Sequence, residues 1–144
     1  FRVMPFATQH DCAEPYGYLI AHPEIGKVVF ATDTYYLRYK FDGLTNVMIE
    51  CNYDTQILQD NVDKGIIHPL VQRRTHESHM SLDTCLKTLK ANDLTNVSQI
   101  MLLHLSNKNA DGERFQSIVQ QETGKITHIA KKGLEIEFNK TPFL

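Results

Sequence analysis

The sequence lacks a strong excess of either charge and any apolar run long enough to cross a bilayer. The formal net charge of its 144 residues is -2, so no basic field attracts nucleic acid non-specifically, although a local basic site is compatible with this total. No apolar run approaches the roughly 20 residues of a membrane span. The N-terminus also lacks the basic and apolar stretches of a signal peptide. These absences favour a cytoplasmic protein without membrane contact.

Cysteines are few and follow no metal-binding pattern. Cys12, Cys51 and Cys85 are an odd number at no metal spacing, and each has apolar or strand-like neighbours. Reduced core residues of an intracellular protein are therefore expected. Internal repeats, low-complexity segments and linkers are missing as well, so residues 1–144 are expected to form a single domain.

Hydrophobic periodicity predicts alternating strands and helices, and hence an α/β fold. Strands are predicted at residues 2–6, 18–21, 27–31, 47–49, 100–103, 126–130 and 134–138. The second and third of these form a predicted hairpin. Helices are predicted to begin at the capping residues Asp54, Ser81 and Asp111.

Two stretches have weaker patterns. Residues 35–42 are amphipathic and are read as a short helix or an irregular turn, and residues 66–78 are read as a polar loop. Gly65 is expected to end the first helix, and Gly124 the third.

Polar side chains follow the predicted strands at their carboxyl ends. His10, Asp33 and His104 each come after a strand, and Glu50 ends another. If these strands are neighbours, the side chains meet at one edge of the sheet, where open α/β sheets place their sites. Two imidazoles and a carboxylate suit zinc, manganese or iron. On spacing alone, each histidine could equally be a satisfied surface or core residue.

Five short polar segments follow one another over roughly residues 3–110. They are His10-Asp11 with Glu14-Pro15-Tyr16-Gly17-Tyr18, then Ala31-Thr32-Asp33-Thr34, Ile49-Glu50-Cys51-Asn52-Tyr53-Asp54, Ser78-His79-Met80-Ser81, and Leu103-His104-Leu105-Ser106-Asn107. In this order they resemble segments of metallo-β-lactamase-fold hydrolases, in the branch of RNase Z-like nucleases and their bacterial and phage exonuclease-like relatives.

The resemblance implies a dinuclear metal centre and a phosphodiesterase or nuclease activity. His10 and His104 would each ligate one of two divalent ions, with zinc favoured over manganese or iron, and Asp33 would bridge the two. His79 would face the scissile phosphate and assist the leaving group. Nucleic acid is the expected partner, or else another phosphodiester substrate.

Further residues are candidates for support of the ligands or contact with substrate. They are Asp11, Glu50, Asn52, Arg73 and Arg74. Glu50 could orient a ligand histidine, or it could be a simple cap or surface residue. The two arginines could bind phosphate through bidentate bonds, or they could be a solvated loop pair.

The chain also departs from the family pattern. The H-x-H-x-D-H motif is absent, and Ser78 stands where the branch usually has glycine. His10, Asp33 and His104 would give two protein ligands per metal, whereas catalytic zinc takes three plus water. A preceding N-terminal segment or a second chain is therefore expected to carry the missing motif.

The resemblance implies the C-terminal half of an αββα sandwich, a mixed sheet with helices on one face. A second sheet from the missing part, or a self-associated homodimer, would cover the other face. Two alternatives stay open. One is a hydrolase of small esters, lactones or thioesters on the same fold. The other is a non-catalytic half-domain that serves binding or assembly.

Overall fold

A computed structural model describes residues 1–141 of the chain. Within that range the elements are, in order, β1 (Arg2–Ala7), β2 (Tyr16–His22), β3 (Gly26–Ala31), β4 (Asn46–Glu50), α1 (Thr55–Asp63), α2 (Pro69–Ser78), α3 (Leu82–Ala91), β5 (Gln99–Leu103), α4 (Gly112–Thr123) and β6 (Ile126–Ile129). The predicted α/β class is confirmed. Of these helices, none is long and apolar enough to cross a membrane.

The strands form one mixed sheet in the order β1-β2-β3-β4-β5-β6. β1, β2 and β3 pair antiparallel, and β3 through β6 pair parallel. The predicted hairpin is confirmed as the β2–β3 pair. Gly26 begins β3 with a φ of 73°, and a Cβ there would lie 2.5 Å from the Thr45 side chain. The chain can therefore turn into β3 only with glycine at this position.

The core lies between one face of the sheet and helices α3 and α4. Val47, Ile49, Ile100 and Leu102 supply the centre of that face and are at most 2% exposed. The helices contribute their apolar stripes to the same cluster, namely Leu82, Cys85 and Leu89 from α3 and Phe115 and Val119 from α4. The predicted caps Asp54, Ser81 and Asp111 each accept backbone N–H bonds at the start of their helices.

The C-terminal segment covers part of the opposite face of the sheet. Val3, Tyr16 and Tyr18 of β1 and β2 project from this face and are exposed. The prediction of a strand at residues 134–138 is wrong, because this segment crosses the sheet instead of pairing with it. Gln99 donates its side-chain amide to the carbonyl of Glu137, and this contact belongs to no strand ladder.

The polar loop predicted at residues 66–78 is also wrong, since most of it forms α2. Pro69 occupies the first turn, where its missing N–H is no loss, and His68 caps the helix by accepting from Leu70 N–H at 3.1 Å. Leu70 and Val71 are exposed, so α2 has no buried apolar stripe that the sequence could reveal. Residues 35–42 adopt the irregular alternative of their prediction.

The cysteines divide into two kinds. Cys51 and Cys85 are buried and form no disulfide. A hydrogen bond from the Cys85 side chain, together with burial, raises the pKa of Cys51 well above its usual value. They are the inert core thiols that the sequence predicted. The same prediction is wrong for Cys12, which is exposed because it lies in the polar loop between β1 and β2.

Candidate metal centre

The candidate site lies where β3, β4 and β5 end at their carboxyl edge. Asp33 follows β3, Glu50 is the last residue of β4, and His104 follows β5 directly. These strands are parallel neighbours, so their ends meet at one edge of the sheet. His79 joins them from the C-terminal end of α2. One donor atom from each of Asp33, Glu50, His79 and His104 lies within 4.8 Å of the other three.

Two of these four residues have left-handed backbone. The φ angle is 50° at Asp33 and 58° at His104, a conformation that costs non-glycine residues about 1–3 kcal/mol each. Asn52 helps to hold the second one, because its side-chain amide donates to the carbonyl oxygen of His104 at 2.6 Å. Strained backbone at the ends of β3 and β5, which lie on either side of β4, affects two potential ligands and is typical of a functional site.

Glu50 is the centre of the group and is fully buried. Its Oε1 accepts from the Nδ1–H groups of His79 at 2.8 Å and His104 at 3.0 Å, and its Oε2 accepts from Thr34 N–H at 2.7 Å. A carboxylate can only accept, so both histidines carry their proton on Nδ1. Their Nε2 atoms therefore face away from the Glu50 carboxylate, and Glu50 fixes the orientation of both rings.

Asp33 adds a second carboxylate to the same imidazoles. Its Oδ1 lies 3.1 Å from Nδ1 of His104 and 3.9 Å from Nδ1 of His79. The hydrogen bond to Glu50 is the main cause of a raised His79 pKa; burial opposes it, and the charges of Glu50, Asp33 and Asp11 add to it. The group thus favours positive charge, whether as a proton or as a metal ion.

His10 lies beside the group but is not one of its four donors. Its ring centroid is 5.3 Å from that of His79, which in turn is 5.0 Å from that of His104. The Nδ1–H of His10 donates to the carbonyl oxygen of Ser78 at 2.8 Å. Three imidazoles thus line up along the edge, each held through Nδ1.

Asp11 and Arg74 connect α2 to the loop that carries His10. Arg74 donates its Nε–H to Asp11 Oδ2 at 2.8 Å, and this hydrogen bond is the main reason that the pKa of Asp11 is lowered. Asp11 Oδ1 lies 3.2 Å from His10 Nε2. Arg73 points elsewhere: its Nε–H donates to Glu77 on the same helix, where both are exposed.

The stretch from Glu50 to Asp54 holds the site through alternate residues. Glu50 binds the two histidines, Asn52 binds the His104 carbonyl, and Asp54 caps α1 while its Oδ2 accepts from Arg114 Nη1 at 2.7 Å. The backbone N–H of Asn52 also donates to Met80, next to His79. This short extended segment therefore fixes the position of both imidazoles.

Thr34 has a structural role at the site that the sequence did not reveal. It is fully buried, its N–H holds Glu50, and its hydroxyl accepts from Gln9 N–H at 2.9 Å and donates to the carbonyl of Tyr36 at 2.7 Å. It thus joins the loop of His10 to the loop of Asp33. In the sequence, Thr34 is recognisable only as a threonine that follows Asp33. That pattern does not predict whether its hydroxyl is buried or exposed.

The side chains present fit a divalent cation. Two carboxylates and two imidazoles are the donors that zinc accepts, and manganese and iron take the same mixture. The sequence predicted His10, Asp33 and His104 as metal ligands. In the structure, Glu50 and His79 lie close enough to Asp33 and His104 to share one ion with them, and His10 lies beside this group. The four-residue group could hold one ion.

Comparisons with known proteins give no assignment. No family model matches the chain, and no curated protein matches it either. The order of the five segments and the geometry of the strand-end group are therefore the observations on which a function can be proposed.

Proposed function

We propose that the protein is a metal-dependent phosphodiesterase of the metallo-β-lactamase type, acting on nucleic acid. The single observation that carries this is the convergence of Asp33, Glu50, His79 and His104, within 4.8 Å, at the carboxyl edge of a parallel sheet. All four lie in segments that resemble the nuclease branch, although they are far apart in the chain.

Each residue has a distinct role in this proposal. Asp33 and His104 would hold metal directly, and His10 would be the ligand of a second ion. Two divalent ions bound there would supply a nucleophile from water and neutralise the charge of the phosphate oxygens. The donors that complete both sites belong to a segment with the H-x-H-x-D-H motif, from a preceding part of the protein or a second chain.

His79 and Glu50 form the proton-handling pair of the proposed site. The Nδ1–H of His79 is held at 2.8 Å by a fully buried carboxylate, so its Nε2 is aimed away from Glu50. The bond to Glu50 raises the pKa of His79, which favours the protonated ring that would give its proton to the leaving oxygen. Glu50 acts through His79 and positions it.

The incomplete cover of the sheet supports the sandwich form of the proposal. Helices α3 and α4 pack on one face, while Val3, Tyr16 and Tyr18 on the other are exposed. In the αββα arrangement a second sheet lies on this face. A homodimer that joins two such faces is the competing way to cover it.

The direct test is Asp33→Ala in the protein together with its H-x-H-x-D-H segment. Hydrolysis of a generic phosphodiester, such as bis-p-nitrophenyl phosphate, should be abolished, because the variant loses the carboxylate shared by the metals. The matched control is Asp42→Ala, also an aspartate in the loops after β3 but outside the group. Retained hydrolysis in Asp33→Ala, or equal losses in both variants, would overturn the proposal.

A further inference from the structure

The segment that follows Asp33 has a composition that the proposed catalytic group does not explain. Residues 35–40 read Tyr-Tyr-Leu-Arg-Tyr-Lys. Tyr35, Tyr36 and Tyr39 are 41%, 49% and 42% exposed, whereas Leu37 is 6% exposed and anchors the segment in the core. Three large rings are thus kept at the surface of an irregular segment, beside a leucine that is buried.

This tyrosine segment, residues 35–40, borders a groove of about 400 Å³. Tyr36 and Tyr39 line one side of the groove, and α3 lines the other with Thr84, Lys87 and Thr88. The Tyr39 ring packs edge-on against Phe6 with the centroids 5.7 Å apart. The groove therefore has an aromatic wall that is anchored at Tyr39.

Positive charge is interleaved with the rings. Arg38 and Lys40 lie in the segment and are exposed, and Lys87 faces them from α3. Lys87 is paired with Asp83 at 2.7 Å, but Arg38 donates to the neutral Gln9, and Lys40 has no ion pair among the described residues. In a chain of net charge -2, this is a local cationic strip beside exposed rings.

The strip is joined to the candidate metal centre by direct bonds. Thr34 donates its hydroxyl to the carbonyl of Tyr36 and its N–H to Glu50. The N–H of Tyr35 donates to the carbonyl of Gln9, the residue before His10. A polymer lying along the groove would thus continue towards the imidazoles and carboxylates.

We infer that residues 35–40 and the facing side of α3 form a binding platform for single-stranded nucleic acid. Bases stack on Tyr36 and Tyr39, and phosphates contact Arg38 and Lys40. Stacking suits every base and needs it unpaired, and interleaved cations follow the backbone. The inference rests on the proposed function in that it names the substrate class of the same site.

The experiment measures binding without hydrolysis. A fluorescein-labelled oligothymidine is titrated with the protein in excess chelator, and anisotropy gives the affinity. Quenching of the protein's own fluorescence is a second readout, because the chain has six tyrosines and no tryptophan. Tyr36→Leu removes the ring and keeps apolar bulk, so the affinity should fall about tenfold, the effect of one lost base stack. Tyr36→Phe should restore it.

The control is Leu70→Ala, since Leu70 is 70% exposed on α2 and does not line the groove. It should leave the affinity unchanged. Arg38→Gln should make the salt dependence shallower, with the slope of log K against log salt reduced by about 0.7, the value for one phosphate contact of a single strand. Unfolding midpoints of all variants are measured alongside, and each should match the parent because these side chains are exposed.

The outcomes separate this inference from the proposed function. Equal affinities in Tyr36→Leu and Leu70→Ala, or duplex bound as tightly as the single strand, would overturn the platform even if Asp33-dependent hydrolysis is found. Tyr36-dependent binding without any hydrolysis would uphold the platform and refute the phosphodiesterase.

Discussion

The two edges of the parallel sheet use polar residues for opposite purposes. At the amino edge, neutral groups join neighbouring segments: Thr45 Oγ1 accepts from Lys27 N–H at 2.9 Å and donates to the Ile25 carbonyl at 2.6 Å, and Ser98 Oγ donates to the Thr45 carbonyl at 3.1 Å. At the carboxyl edge, Asp33 and Glu50 are brought within bonding distance of the same imidazole.

The difference separates an edge that satisfies backbone groups from an edge that gathers charged side chains. Neutral bonds at the amino edge satisfy the backbone where β3 and β4 begin. The carboxyl edge concentrates one fully buried carboxylate and two left-handed residues, features that lower stability unless something else compensates. A cation held by this group would provide that compensation.

The largest expected effect comes from disturbing the carboxyl edge at its centre. Glu50→Gln keeps the shape of the side chain but removes the charge that holds His79 and His104. Affinity for zinc should fall about 10–100-fold, the usual effect of losing a residue that orients metal ligands. Calorimetric titration measures this, with the exposed Glu135→Gln as the control. An unchanged affinity would mean that Glu50 does not organise the site.

The same kind of disturbance at the amino edge should change stability and not metal binding. Thr45→Val is close in shape but leaves Lys27 N–H and the Ile25 carbonyl without their hydroxyl partner. The free energy of unfolding should fall by about 2 kcal/mol, as for other buried groups left unpaired. Urea denaturation tests this against the exposed Thr55→Val. If Thr45→Val lowered zinc affinity more than stability, the contrast between the edges would be lost.

The smallest expected effect is a pH dependence confined to the carboxyl edge. In the metal-free protein the pKa of His79 is raised, first by its bond to Glu50 and against the effect of burial. A raised pKa stabilises the folded state fully below the ordinary histidine value of 6.5, and this contribution disappears as pH rises through the raised value.

Unfolding midpoints of the chelated protein, taken from pH 5.5 upwards, should therefore decline more steeply than those of Glu50→Gln. Thr45→Val, in contrast, should follow the same pH curve as the parent with a constant offset. Parallel curves for the parent and Glu50→Gln would contradict the proposed charge interaction at His79.

The sequence predicted the positions of the strand ends better than their contacts. Local patterns predicted the caps Asp54, Ser81 and Asp111. They predicted the meeting of Asp33 with His104 only on the condition that their strands share one edge of the sheet. They did not predict the central place of Glu50, because whether a glutamate at a strand end is buried depends on which side the neighbouring loops cross.

The two misread segments failed for related physical reasons. The sequence did not predict α2 because its surface is largely polar and its leucine, Leu70, is 70% exposed. Apolar residues therefore do not recur at helical spacing along this segment. Apolar and polar residues alternate along residues 134–138, as they do in a strand. Such alternation indicates that one side of the segment is covered, but it does not show that a neighbouring strand pairs with it. Gln99 binds this segment through a side chain, a contact that no pattern in sequence predicts.

The central claim is that the carboxyl edge of this sheet holds a divalent metal ion. It is tested most directly by titrating the metal-free protein with Co²⁺, followed by visible absorption, beside the double variant Asp33→Asn/His104→Asn. The account predicts saturable d–d bands in the parent and in Thr45→Val, and none in the double variant. A parent spectrum indistinguishable from that of the double variant would contradict it.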